Sequence, residues 1–192
     1  MTGKQKFIKL IYPIIETVGK IFKVNSKILS SQTKSLTSFY DLKATANDGS
    51  LIDFANFKNK KVLIVNTASD CGYTPQYKDL EKLHLQKKDT LILLAFPANN
   101  FMAQEKGSDE AIANFCETNF AITFPLMRKT SVLKNEAQSN VYQWLTEKEK
   151  NGWNTKEPSW NFCKYLIDKE GNLTHFFEAS VSPMSKEILN NL

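Results

Sequence analysis

The sequence predicts an α/β domain with a central mixed sheet flanked by helices and a β-hairpin added near its start. Three observations carry that prediction. "KVLIVNTA" (61–68) and "TLILLAFP" (90–97) are continuous apolar runs, as in strands buried on both faces of a parallel sheet. The segment between them has helical spacing. "WNFCKYLID" and "LTHFFEAS" flank Glu170-Gly171-Asn172, which reads as an antiparallel hairpin.

Each element follows in order. Between Phe39 and Phe54 two alternating stretches surround Asn47-Asp48-Gly49, a hairpin signal. After the first apolar run, Thr74 is the expected N-cap and Pro75 the first position of a helix that aligns Tyr77, Leu80 and Leu83. Ser108, followed by Asp109 and Glu110, starts a second helix whose Ile112, Phe115 and Cys116 share an apolar side. A third helix, through Val141, Trp144 and Leu145, stops near Asn151-Gly152, and Ser182-Pro183 opens a closing helix with Ile188, Leu189 and Leu192. A parallel β-α-β unit followed by a β-β-α unit is thioredoxin-like topology, which by itself names no activity.

The chain of 192 residues divides into an N-terminal extension with linker, 1–36, and one domain, 37–192. Residues 1–34 hold seven lysines against one acid, Glu16, so they account for the whole net charge of +5 and leave a near-neutral body. That body lacks the broad basic footprint of a nucleic-acid binder. Phe7, Ile11, Ile14, Val18 and Ile21 recur at helical spacing among lysines, which predicts an amphipathic helix around Pro13. Such a segment docks on its own domain, stays poorly ordered, or lies as a peripheral contact on an anionic membrane. Residues 30–38, rich in Ser, Thr and Lys, read as a linker.

No run approaches the ~18 apolar residues of a membrane span. Lys9 and Pro13 interrupt "FIKLIYPII" and no A-x-A-like site follows, which argues against a secretory signal. Three cysteines, an odd number, and two histidines support neither a disulfide framework nor a zinc site. The expected compartment is reducing and cytoplasmic.

Cys71 stands out by position. It follows a buried strand and precedes a helix N-terminus, where unpaired N–H groups and the helix dipole favour a thiolate. Gly72 is expected to permit close backbone approach. Thr74 stands where a Cys-x-x-Cys pair would place its partner, so oxidising equivalents at Cys71 must pass to something more distant. A peroxidase fits that better than a dithiol oxidoreductase.

Three segments extend the reading. "NTASDCGYTPQYKDLEKL", "LAFPANNFMAQEKGS" and "WNFCKYLID" resemble, in order and spacing, the signatures of the glutathione peroxidase family in its non-selenium, thioredoxin-dependent branch. The resemblance spans about residues 37–190. It implies that Cys71 is the peroxidatic residue and that Gln104, Trp160 and Asn161 complete a catalytic tetrad. All three of those partners carry neutral N–H donors able to stabilise a sulfur anion. It also implies that Cys116, on the helix before Phe124-Pro125, is the resolving cysteine. The helix carrying Cys116 is expected to unwind locally after oxidation if that residue is to meet Cys71, and Cys163 matches no functional position.

The expected chemistry reduces hydrogen peroxide and organic or lipid hydroperoxides through a Cys71 sulfenic acid. No metal and no bound cofactor is expected, only an external thiol co-substrate, thioredoxin or glutathione, with a thioredoxin-like protein favoured. A peroxide sensor that relays oxidation to a partner protein is the alternative. Ala98 stands where many members of that family carry a cysteine after Phe-Pro, which removes a rival resolving candidate, and Asn100 and Met102-Ala103 depart from the family pattern at the pocket rim. The region 127–159 is shorter than the loop that supports tetramers in some relatives, which predicts a monomer or small oligomer.

Overall fold

The computed structural model describes residues 28–192; the expected amphipathic helix around Pro13 lies outside them. In chain order the strands are β1 (Ile28–Ser30), β2 (Lys43–Thr45), β3 (Leu51–Asp53), β4 (Lys61–Thr67), β5 (Leu91–Pro97), β6 (Lys164–Ile167) and β7 (Leu173–Phe177). The helices are α1 (Gln76–Lys87), α2 (Asp109–Phe120), α3 (Asn140–Thr146), α4 (Lys148–Asn151) and α5 (Lys186–Leu189).

Five strands form one sheet in the order β1-β7-β6-β4-β5, and β2 with β3 makes a separate hairpin. β4 and β5 run parallel, in register from Lys61 opposite Leu91 to Thr67 opposite Pro97. The other neighbours in the sheet are antiparallel. This is the expected mixed sheet, with β-α-β followed by β-β-α.

The alternation of β4 explains why the sheet is covered twice. Val62 and Ile64 face a layer with Phe39, Phe54, Tyr142 and Trp144, whereas Leu63 and Val65 face Tyr77, Leu80 and Leu83 of α1 and Ile112 and Cys116 of α2. All four strand side chains are fully buried, and each contributes roughly 1.5–3 kcal/mol by leaving water. Lys164 is also fully buried; its ammonium donates to Gln76 Oε1 and to the carbonyls of Ala179 and Val181. A buried charge satisfied in this way ties the start of α1 to the C-terminal segment.

Four local expectations need correction. Residues read as a linker are fastened to the body: β1 pairs with β7, Ser31 N–H donates to Thr174, and the N–H groups of Leu36 and Thr37 both donate to the Lys150 carbonyl. Trp160–Cys163 are not strand, because Phe162 adopts a left-handed φ of 70° and β6 starts only at Lys164. The third helix splits into α3 and α4 where Glu147 is extended. The closing helix begins at Lys186, after Ser182-Pro183.

Candidate active site

The site is built where β4 ends. Beyond Ala68 the chain turns sharply, and Thr74 closes the turn. Its Oγ1 accepts from Cys71 N–H at 3.0 Å and donates to the Ala68 carbonyl at 2.8 Å, while its own N–H donates to the Cys71 carbonyl at 3.1 Å. Thr74 is therefore the clasp of the cysteine turn instead of the helix cap, and α1 starts two residues later, at Gln76. A Cβ placed on Gly72 would meet nothing within 4 Å, so the expected close approach is not what puts glycine there.

Cys71 is 1% exposed. The Tyr73 N–H donates to its sulfur at 3.4 Å, and the Trp160 indole and Asn161 amide donate to it as well. Those two residues lie on the loop before β6, which Asn66 holds at the end of β4. Asn66 Nδ2 donates to the Trp160 carbonyl at 2.9 Å, and the Asn66 carbonyl accepts from Phe162 N–H at 2.6 Å. Asn161 Nδ2 also donates to Gln104 Oε1 at 3.0 Å. The Gln104 carbonyl in turn accepts from Asp70 N–H at 3.0 Å, and the Phe101 ring packs on Trp160 at 5.7 Å between centroids. The structure thus brings Cys71, Gln104, Trp160 and Asn161 to one corner from three separate segments, with Gln104 joined through Asn161.

The electrostatics correct one expectation. Burial pushes the Cys71 thiol above its ordinary value; the donors from Tyr73, Trp160 and Asn161 pull it down without cancelling that effect, and Asp70 adds to the rise. Three neutral donors do not replace the hydration that a thiolate loses at this depth. The resting group is a buried thiol that its neighbours are arranged to help ionise.

Cys116 is fully buried on α2, in the same apolar layer as Cys71. Burial pushes its thiol up to about 12 against the favourable influence of the Tyr77 hydroxyl. Cys163 is fully buried too, 3.6 Å from Ser159 Oγ and 3.7 Å from Glu178 Oε2. All three thiols are free.

Glu105 was not singled out in the sequence, although it follows Gln104 directly. It is 1% exposed, its Oε2 accepts from Ser69 Oγ at 3.0 Å, and its N–H donates to Asn99 Oδ1 at 2.9 Å. Burial raises its carboxyl to about 7, against the stabilising influence of Ser69 and Lys129. Among the described residues no group of three or more His, Cys, Asp or Glu side chains is placed to hold a metal, and no helix is long and apolar enough to cross a membrane.

The mixed sheet and the sulfur corner define a thioredoxin-fold thiol protein. The family model for glutathione peroxidase matches residues 39–146, and the chain belongs to the glutathione peroxidase family. It is 43% identical over 150 residues to glutathione peroxidase-like peroxiredoxin 2 of Saccharomyces cerevisiae, covering 78% of this chain and 92% of that one. It is 39% identical over 151 residues to a glutathione peroxidase of Lactococcus lactis, covering 78% and 95%. A crystal structure of Trgpx in apo form superposes with a TM-score of 0.62 at 34% identity, covering 81% of this chain and 95% of that one. The T. cruzi GPX1 crystal structure gives 0.59 at 30%, covering 81% and 93%.

Proposed function

We propose that this peroxidase reduces hydroperoxides through a sulfenic acid at Cys71, resolved by Cys116 and recycled by a thioredoxin-like dithiol protein. One observation carries the reading: a buried sulfur receives N–H donors from Tyr73, Trp160 and Asn161 at the end of a sheet strand. Donors aimed at sulfur stabilise the negative charge that develops there as a peroxide is attacked.

In the first step the Cys71 sulfur attacks the terminal peroxide oxygen and the O–O bond breaks. Sulfur is oxidised to sulfenic acid and the peroxide is reduced to water or an alcohol. The departing oxygen needs a proton, and a Cys71 that rests as a thiol brings one with it. Cys116 sulfur then attacks Cys71 sulfur; the S–S bond forms, the S–O bond breaks and water leaves. An external dithiol reduces that disulfide by exchange and is itself oxidised. Burial of Cys116 supports a resolving step that waits for α2 to open, since a disulfide needs Cα atoms within ~7 Å. We read the protein as a cytoplasmic monomer or small oligomer.

Peroxide-dependent NADPH consumption tests the whole cycle, with thioredoxin and its reductase set against glutathione and its reductase. The expected result is rapid consumption with thioredoxin and at least tenfold less with glutathione. Cys71→Ser is expected to abolish it, and Cys116→Ser to allow one turnover and then stop. Unchanged steady-state turnover in Cys116→Ser would remove that residue from the cycle. The lysine-rich extension is proposed to touch anionic membrane; flotation with anionic liposomes of the full chain, against a chain lacking residues 1–27, tests that separately.

A further inference from the structure

Glu105 is a buried carboxyl that the cycle above does not use. It lies between the two cysteines in the chain. On one side it holds Ser69, two residues before Cys71, and it follows Gln104, which is bonded to Asn161 beside the sulfur. On the other side its charge acts on the Cys116 thiol and on the Tyr77 hydroxyl, the group that faces that thiol from α1. The remaining charged groups that bear on it are Asp70, from the cysteine turn, and Lys129, beyond α2. Loop 99–105 is anchored at both ends of this contact, by Asn99 to Glu105 N–H and by the Gln104 carbonyl to Asp70 N–H.

We propose that Glu105 is the proton carrier of the resolving step, moving a proton from Cys116 to the oxygen that leaves Cys71. This rests on the assignment of Cys71 and Cys116 as the reacting pair. Ionised Glu105 takes the proton of the Cys116 thiol as α2 opens. The Cys116 thiolate attacks the sulfur of the Cys71 sulfenic acid, the S–S bond forms with the sulfur electron pair, and the S–O bond breaks with its pair on oxygen. The hydroxide so released takes the proton from Glu105 and leaves as water, and the carboxylate is restored. One thiol and one sulfenic acid become one disulfide and one water, with no other oxidant or reductant.

A carboxyl that titrates near neutrality is suited to both halves of that transfer. Because the ionised form is the base, disulfide formation is expected to accelerate as pH rises through about 7.

The test follows two steps separately after one equivalent of hydrogen peroxide is mixed with the reduced full chain: trapping of Cys71 sulfenic acid by dimedone, and loss of the Cys116 thiol. Glu105→Gln, which retains an acceptor for Ser69, is expected to slow disulfide formation at least about tenfold more than it slows Cys71 oxidation, within the usual range for acid–base catalysis. It is also expected to flatten the rise with pH, and Glu105→Asp to restore part of both. Equal slowing of the two steps, or disulfide formation in Glu105→Gln with the wild-type pH profile, overturns the proposal and leaves the cysteine pair standing. Failure of the wild type to form a Cys71–Cys116 disulfide removes the pair and the proposal together. If Glu105→Gln does not fold, the wild-type profile decides: a rate that is flat from about pH 6 to 8 overturns the carrier role.

Discussion

At Cys71 two opposing effects meet in one atom. Hydrogen bonds from Tyr73, Trp160 and Asn161 lower its pKa, burial raises it, and burial wins. Alkylation of Cys71 by iodoacetamide is therefore expected to be slow at neutral pH and to increase as pH rises beyond the ordinary thiol range of ~8.5. Trp160→Phe removes one donor without opening the core and is expected to shift that curve to higher pH. It should also lower the rate of peroxide reduction by roughly a hundred- to a thousandfold, the scale of losing one preorganised donor. Stopped-flow peroxide consumption measures the second effect. The donors Trp160 and Asn161, and Gln104, which is joined to the sulfur only through Asn161, were legible in the sequence because they fall in motifs; the depth of Cys71 was not, because exposure depends on how β4, α1 and the 160–163 loop pack together. Thr74 was misread for a similar reason: a hydroxyl before Pro75 suits a helix cap, and only the folded turn shows that it binds Ala68 and Cys71 instead.

Among the elements, α2 carries the greatest functional demand. It hides Cys116 in the structure described, and in the proposed cycle it releases that thiol after Cys71 is oxidised. Its N-cap Ser108 accepts from Ala111 N–H at 3.2 Å, so Ser108→Ala is expected to cost about 1 kcal/mol in chemical denaturation. If local opening limits resolution, the same change is expected to speed Cys71–Cys116 disulfide formation by up to about fivefold. Amide exchange across 109–120 is expected to be faster in the oxidised protein than in the reduced one. β4, β5 and α2 were readable because they are long, periodic or well capped. The strand β1 was not: three residues beside a Ser/Thr/Lys-rich stretch have no period of their own, and Ile28–Ser30 become strand only by pairing with β7. "WNFC" falls in the strand that the turn at Glu170-Gly171-Asn172 predicts, yet contacts to Asn66 impose a turn there.

Across the whole molecule, the segment before Phe39 acts as a strap. Gly152 ends α4 at φ +92°, and a Cβ there would lie 2.3 Å from the Lys34 carbonyl oxygen. Gly152→Ala is expected to lower thermal stability by several degrees, because it combines an unfavourable backbone angle with a collision against the strap. Removing residues 1–36 is expected to lower the melting temperature more than removing 1–27, since only the longer deletion takes β1 and the Leu36 bond to Lys150. The buried carboxyl gives a global pH signature as well. The folded protein raises the Glu105 carboxyl from its ordinary 4.5 to about 7, so the folded state holds a proton that the unfolded chain has released between those values. Its contribution is fully present below about 4.5 and lost as pH rises to about 7; Glu105→Gln is expected to flatten that part of the stability curve by up to roughly 3 kcal/mol in denaturant titrations at several pH values.

Asn66 has one more consequence. It fastens the indole and amide to the sheet and not to either helix above it. In the proposed cycle one wall of the pocket swings away to deliver its thiol, and the apparatus that cradles the reactive atom is expected to keep its shape. Each round of reduction in that cycle returns the sulfur to a seat that never had to be rebuilt, with a moving part and a fixed one at neighbouring positions.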